Sequence, residues 1–151
     1  MIECKDNIEM MQELQSRTID LIYCDILYGT GRNFGGYQDL KPIRNEIENF
    51  YIPRLKEMHR ILTETGSIYL QMDTRINHWM RCIMDDIFGY DNFRNELAWC
   101  YNSQGKTRSQ WNKKHDVILY YTKTEKFIFN SDIVKDSIDR KSTCLNSSHL
   151  V

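Results

Sequence analysis

An α/β fold, part of a doubly wound sheet, is predicted on three observations: an apolar run that ends in an acidic residue at Asp25, a glycine-rich segment directly after it, and a strand–helix–strand–helix order in the hydrophobic periodicity as far as Gly89. The chain has 151 residues, the length of one domain. It is 41% hydrophobic and 12% aromatic, enough to bury a core rather than remain disordered.

Each element follows from local pattern. Ile8, Met11 and Leu14 recur at helical spacing, with Asp6 or Asn7 as the cap. Ile19 to Cys24 is a short, nearly continuous apolar run ending at Asp25, which predicts a central parallel strand covered on both faces. Gly29, Gly31, Gly35 and Gly36 make the next segment a flexible loop. From Asn45 to Thr65, Ile47, Tyr51, Leu55, Met58 and Leu62 trace one helix face. Pro53 predicts a kink or a late start there, and Gly66 a C-terminal cap. Ser67 to Met72 reads as a second strand, ending at Asp73. Ile76, Met80, Ile83 and Ile87 give another helix, closed by Gly89. The order predicts a right-handed parallel unit with strands near Leu21 and Ile68. Asn95 to Tyr101 and Asp116 to Thr122 then form an antiparallel pair near Trp99 and Leu119, and Phe127 to Phe129 a short further strand.

Charge and cysteine usage bound the function. The formal net charge is -1, from 20 basic and 21 acidic side chains, so any contact with nucleic acid must come from a local patch. Cys4, Cys24, Cys82, Cys100 and Cys144 form no C-x-x-C pair, which fits a reduced cytosolic protein with buried thiols. His59, His78, His115 and His149 lack metal-ligand spacing with them, so no metal site is expected. No apolar run approaches a membrane span, and a soluble, cytoplasmic protein is expected.

The chemistry gathers between Asp20 and Phe34. Asp25 stands at a strand's carboxyl end, Tyr28 follows three residues on, and glycines come after; ligands bind at that edge of open α/β sheets. A cap at the strand end is the alternative role for Asp25. This stretch resembles the Asp-Pro-Pro-Tyr motif of the N6-adenine and N4-cytosine DNA methyltransferases, with Ile26 and Leu27 in place of the two prolines. The likeness continues through Tyr51 to Met58, Gly66 to Leu70, Phe93 to Trp99, and Lys114 to Lys123, and covers roughly Asp6 to Asn130.

The resemblance implies the S-adenosylmethionine-dependent methyltransferase form of the Rossmann-like sheet, and a cytoplasmic enzyme of bacterial or phage type acting on duplex DNA. It also implies roles. Exocyclic amino nitrogens are poor nucleophiles because their lone pair is delocalised into the ring. Asp25 and the backbone carbonyl of Ile26 would accept the amino hydrogens, and Tyr28 would stack on a base flipped out of the duplex. The methyl group would pass directly from sulfonium to nitrogen, so no nucleophilic cysteine is expected, and Cys24 reads as core. Adenine N6 is the preferred acceptor, because the motif begins with Asp, with cytosine N4 possible. Ile and Leu keep the carbonyl but not the fixed φ angles of proline. A catalytically silent nucleic-acid-binding module is therefore the alternative function.

A second cluster, Lys106, Arg108, Trp111, Lys113 and Lys114, interleaves cations with an aromatic and is suited to phosphates and a base, unless it is simply a solvated loop. Trp111 would cover the base face opposite Tyr28. Arg32 and Arg44 are further candidate phosphate contacts. No glycine loop for the methionine moiety of S-adenosylmethionine and no ribose-binding acid follow Asn130. The chain alone is accordingly expected neither to bind the cofactor nor to be active. The catalytic part of a truncated domain is expected over 1–139, and a Ser-rich, non-native or disordered tail over 140–151.

Overall fold

Asp6 opens the first helix, α1 (Asn7–Glu13), by accepting the Ile8 N–H at 2.9 Å. Two arginines of α2 (Arg44–Ile61) fasten it at both ends. Arg54 pairs with the Asp6 carboxylate at 2.8 Å. Arg60 donates to the Met11 and Leu14 carbonyls at 2.7 and 3.0 Å, satisfying acceptors that a helix end leaves open. The computed structural model describes residues 4–101, 108–109 and 111–132.

Between these helices runs β1 (Ile19–Asp25), parallel to β2 (Leu62–Met72). After β2 come α3 (Asn77–Phe88), β3 (Phe93–Cys100) and β4 (His115–Thr122). The sheet order is β1-β2-β4-β3, with β4 antiparallel to both neighbours, so the predicted α/β class with its antiparallel pair holds. Ile68, Leu70 and Met72 of β2 join Leu119 and Tyr121 of β4 in one core with Ile47, Tyr51 and Leu55 of α2 and Met80, Met84 and Phe88 of α3. Trp79 packs at the edge of that core.

Several expectations are corrected. Among the described residues β1 is paired on one side only, and Leu21 and Tyr23 on its open face are 60% and 58% exposed. Gly66 is not a helix cap. The helix ends at Ile61 and Gly66 lies inside β2, where a Cβ would meet Leu62 Cδ2 at 2.9 Å, the Thr63 carbonyl at 3.0 Å and the Asp20 carbonyl at 3.2 Å. It is glycine because Leu62 and Thr63 of its own strand and Asp20 of β1 all crowd the position. Residues 126–130 form no strand. Cys4, Cys82 and Cys100 are exposed, and among the described cysteines Cys24 alone packs partly against the core. Pro53 sits within a continuous α2, so the helix does not start late there. Among the described residues no helix is long and apolar enough to cross a membrane. The segment 140–151 lies outside the described residues.

Candidate active site

The carboxyl ends of β1 and β2 and the amino end of β4 lie at one edge of the sheet: Asp25 pairs with Gln71, and Gln71 with Ile118, two residues beyond Asp116. At this edge a cleft of about 480 Å3 is lined by Asp25, Ile26, Leu27, Tyr28, Thr30, Phe34, Tyr37 and Asp39. Asp25 is exposed to it, while the Ile26 side chain is buried in the core. The strand thus ends by delivering a carboxylate to solvent and turning the next residue inward.

The loop that follows is held at several points. The Ile26 N–H donates to the Gln71 carbonyl at 3.1 Å. The buried Tyr51 hydroxyl donates to the Leu27 carbonyl at 3.2 Å. Asp39, only 4% exposed, accepts the Gly29 and Thr30 N–H groups at 3.2 and 2.7 Å, and the Thr30 hydroxyl as well. Gly29 has φ +67°, and a Cβ there would meet Ile76 Cγ2 at 2.8 Å, so the position demands glycine. Side chains elsewhere in the fold therefore supply rigidity that Ile26 and Leu27 do not carry themselves.

Tyr28 is tied to the sheet edge through its hydroxyl. It donates to Asp116 Oδ2 at 3.2 Å and accepts from Gln71 Nε2 at 3.2 Å. The Tyr23 hydroxyl donates to Gln71 Oε1, and the Tyr101 hydroxyl to Asp116 Oδ1 at 3.3 Å. Burial pushes the Tyr28 hydroxyl well above its ordinary value; the Gln71 hydrogen bond opposes this, and the nearby Asp25 and Asp116 carboxylates reinforce it. The phenol stays a neutral donor, fixed by its oxygen, with its ring bordering the cleft. Burial, with a smaller contribution from the Asp25 charge, raises the Cys24 thiol above its ordinary value.

The predicted DNA-facing residues divide. Arg32, Arg108, Trp111 and Lys114 are exposed, Trp111 at 91%. Trp111 is not among the residues lining the cleft beside Tyr28; Phe34 and Tyr37 are. Lys113 lies 3.7 Å from Asp73, a carboxylate that also binds Arg75 at 2.8 Å. Arg44 pairs with Glu48 at 2.7 Å. Lys106 lies outside the described residues. Among the described residues no group of three or more His, Cys, Asp or Glu side chains is placed to hold a metal ion.

Sequence reasoning missed Asp39, Tyr51, Gln71 and Asp116. Asp116 stood within a segment already singled out, but as part of a motif without a role. Asp39 had no local signal, since its partners lie nine and ten residues earlier.

A sheet of this order, with an acidic turn at the carboxyl end of its parallel strand β1, is an α/β scaffold with its cleft where such sheets bind ligands. The chain belongs to the N6/N4 DNA methylase family, whose model, described as DNA methylase, matches residues 19–148. It is 30% identical over 131 residues to the type II methyltransferase M.KpnI of Klebsiella pneumoniae, a match covering 80% of this chain and 31% of that protein. The chain thus spans about a third of the length of that relative. Its fold is shared by the cytosine-N4-specific PvuII DNA methyltransferase, with a TM-score of 0.67 at 15% identity over 89% of this chain and 52% of that one. It is shared too by a putative DNA modification methylase of Thermus thermophilus, solved with S-adenosyl-L-methionine, with a TM-score of 0.56 at 12% identity over 87% of this chain and 56% of that one.

Proposed function

We propose that this chain is the base-receiving part of an S-adenosylmethionine-dependent DNA amino-methyltransferase, acting on adenine N6 in preference to cytosine N4. The observation that carries the reading is the exposed Asp25 carboxylate, set beside Tyr28 on a loop held by Asp39 and Tyr51. Asp25 and the Ile26 carbonyl accept the hydrogens of the target amino group, which favours the geometry in which the nitrogen lone pair can attack. Tyr28 offers its ring to the extruded base while Asp116 and Gln71 hold its hydroxyl. Arg32, Lys106, Arg108, Lys113 and Lys114 meet the phosphates of duplex DNA, and Trp111 offers a further ring.

S-adenosylmethionine supplies a methyl group activated on a sulfonium. The glycine-rich loop does not make a cradle for it. The Gly29 and Thr30 amides are taken by Asp39, the Gly31 amide by the Leu40 carbonyl at 2.8 Å, and the Gly35 amide by Asn33 at 2.8 Å. The glycine-rich loop is therefore spent on its own geometry, and the cofactor needs other residues than these. The firm seating of this loop favours a working site over a silent module.

The experiment is product analysis. The whole enzyme is incubated with duplex DNA and methyl-labelled S-adenosylmethionine, and the DNA is digested to nucleosides. Label in N6-methyldeoxyadenosine is expected. Label in N4-methyldeoxycytidine alone would overturn the base preference, and no label in DNA would overturn the reading.

A further inference from the structure

Residues 31–40 form a two-stranded ribbon standing on the loop after Asp25. Its rungs are backbone hydrogen bonds: the Gly31 N–H to the Leu40 carbonyl at 2.8 Å, the Asp39 N–H to the Arg32 carbonyl at 2.9 Å, and the Phe34 N–H to the Tyr37 carbonyl at 3.0 Å. Asn33 bridges antiparallel to Gln38, and the Asn33 side chain accepts the Gly35 N–H at 2.8 Å, setting the turn at the tip. There the rings of Phe34 and Tyr37 stack, with centroids 5.0 Å apart and planes at 21°.

Both rings are more than half exposed, at 52% and 54%. A single exposed aromatic is ordinary, but a stacked pair at the end of a hydrogen-bonded ribbon has been given a rigid position without a partner to pack on. The pair lines the same cleft as Asp25 and Tyr28. Cations stand at the ribbon's foot: Arg32 is exposed, and Lys41 Cγ lies 3.6 Å from where a side chain on Gly31 would begin. Asp39, the acid at this end, is buried and committed to the loop amides. A flat π surface flanked by positive charge suits a nucleobase on its phosphate backbone.

We propose that the Phe34–Tyr37 pair is a stacking platform for the extruded base that Asp25 and Tyr28 receive, its ligand an unstacked purine of a DNA strand. The proposal rests on the reading of the chain as a DNA amino-methyltransferase. Stacking here offsets part of the cost of taking a base out of the duplex, and it does so without regard to sequence.

The test uses the full 151-residue chain and two short single-stranded probes. One carries a central 2-aminopurine flanked by abasic residues, so that its emission starts unquenched; the other is wholly abasic and end-labelled for anisotropy. Wild type is expected to quench 2-aminopurine saturably. Phe34→Ala/Tyr37→Ala is expected to weaken that quenching on the order of tenfold or more, with affinity for the abasic probe unchanged. Phe34→Leu/Tyr37→Leu keeps bulk without a π face and should behave as the alanine pair does, which separates stacking from any disturbance of the ribbon. Equal quenching by wild type and both variants overturns the proposal and leaves the methyltransferase reading standing. Quenching lost only in Tyr28→Ala overturns it as well. If wild type binds neither probe, the DNA-binding reading fails and the proposal falls with it.

Discussion

Replacing Asp39 by alanine removes the carboxylate that holds the Gly29 and Thr30 amides of the loop after Asp25. Asp39 accepts from two backbone amides and one hydroxyl, all on Gly29 and Thr30, and is almost fully buried. A hydrogen bond to a charged group contributes roughly 1.5–3 kcal/mol, and a donor left buried without a partner costs a comparable amount. The three bonds share one acceptor and the loop can relax toward solvent, so a total of about 2–3 kcal/mol is expected rather than their sum. At roughly 2–4 °C per kcal/mol for a chain of this size, the melting temperature should fall by about 4–12 °C. Asp39→Asn keeps an acceptor but turns an amide N–H toward a donor, and should lie between wild type and alanine. Thermal melting of the chain, followed by circular dichroism, is the assay. A melting temperature for Asp39→Ala within about a degree of wild type would show that the loop is held by other means.

Further outcomes follow from the same structure. Gly66→Ala forces a methyl group to within 3.2 Å or less of Leu62, Thr63 and Asp20; a loss of about 1–3 kcal/mol is expected in urea unfolding, and an unchanged midpoint would refute the close approach. Burial, helped by the nearby Lys123 ammonium, holds His59 below its usual 6.5, so the unfolded chain takes up its proton first. The stability contributed by the neutral ring is full above pH 6.5 and fades as the pH falls through the folded value; melting scans should therefore show a smaller acid-side loss in His59→Gln than in wild type. Alanine at Lys106, Arg108, Lys113 and Lys114 in the whole enzyme should lower DNA affinity and flatten its salt dependence by roughly 0.9 for each phosphate no longer neutralised. Lys113 should contribute least, because Asp73 already stands beside it; an unchanged salt slope would return this loop to plain solvation.

Most of the fold was legible because it rests on local periodicity. The stripe from Ile47 to Met58 is the buried face of α2, and the run from Ser67 to Met72 is the core of β2. What failed was non-local. Gly66 looks like a helix cap from its neighbours and is a strand glycine crowded by Leu62 and Thr63 of β2 and by Asp20 of β1. The exposed Leu21 and Tyr23 read as buried because an apolar run does not say whether both faces of its sheet are covered. At the site, the residue types between Asp25 and Tyr28 carried the chemistry, whereas the restraint on them did not show: Asp39 and Tyr51 reach the loop from later in the chain, and Asp116 from across the sheet. Rigidity that two prolines build into a backbone is here built from side chains whose roles appear only once the chain is folded.

The most direct measurement is single-turnover methyl transfer by the whole enzyme carrying Asp25→Ala, with melting and DNA binding recorded beside it. Asp25 is exposed at the strand end, so its truncation opens no apolar cavity and the melting temperature should stay near wild type. Loss of one preorganised acceptor at the reacting nitrogen should slow transfer on the order of a hundredfold to a thousandfold. DNA affinity, which comes mainly from phosphate contacts, should change far less. Transfer at the wild-type rate would contradict the assignment of Asp25 as the catalytic acceptor, and unfolding of the variant would instead make Asp25 a structural cap.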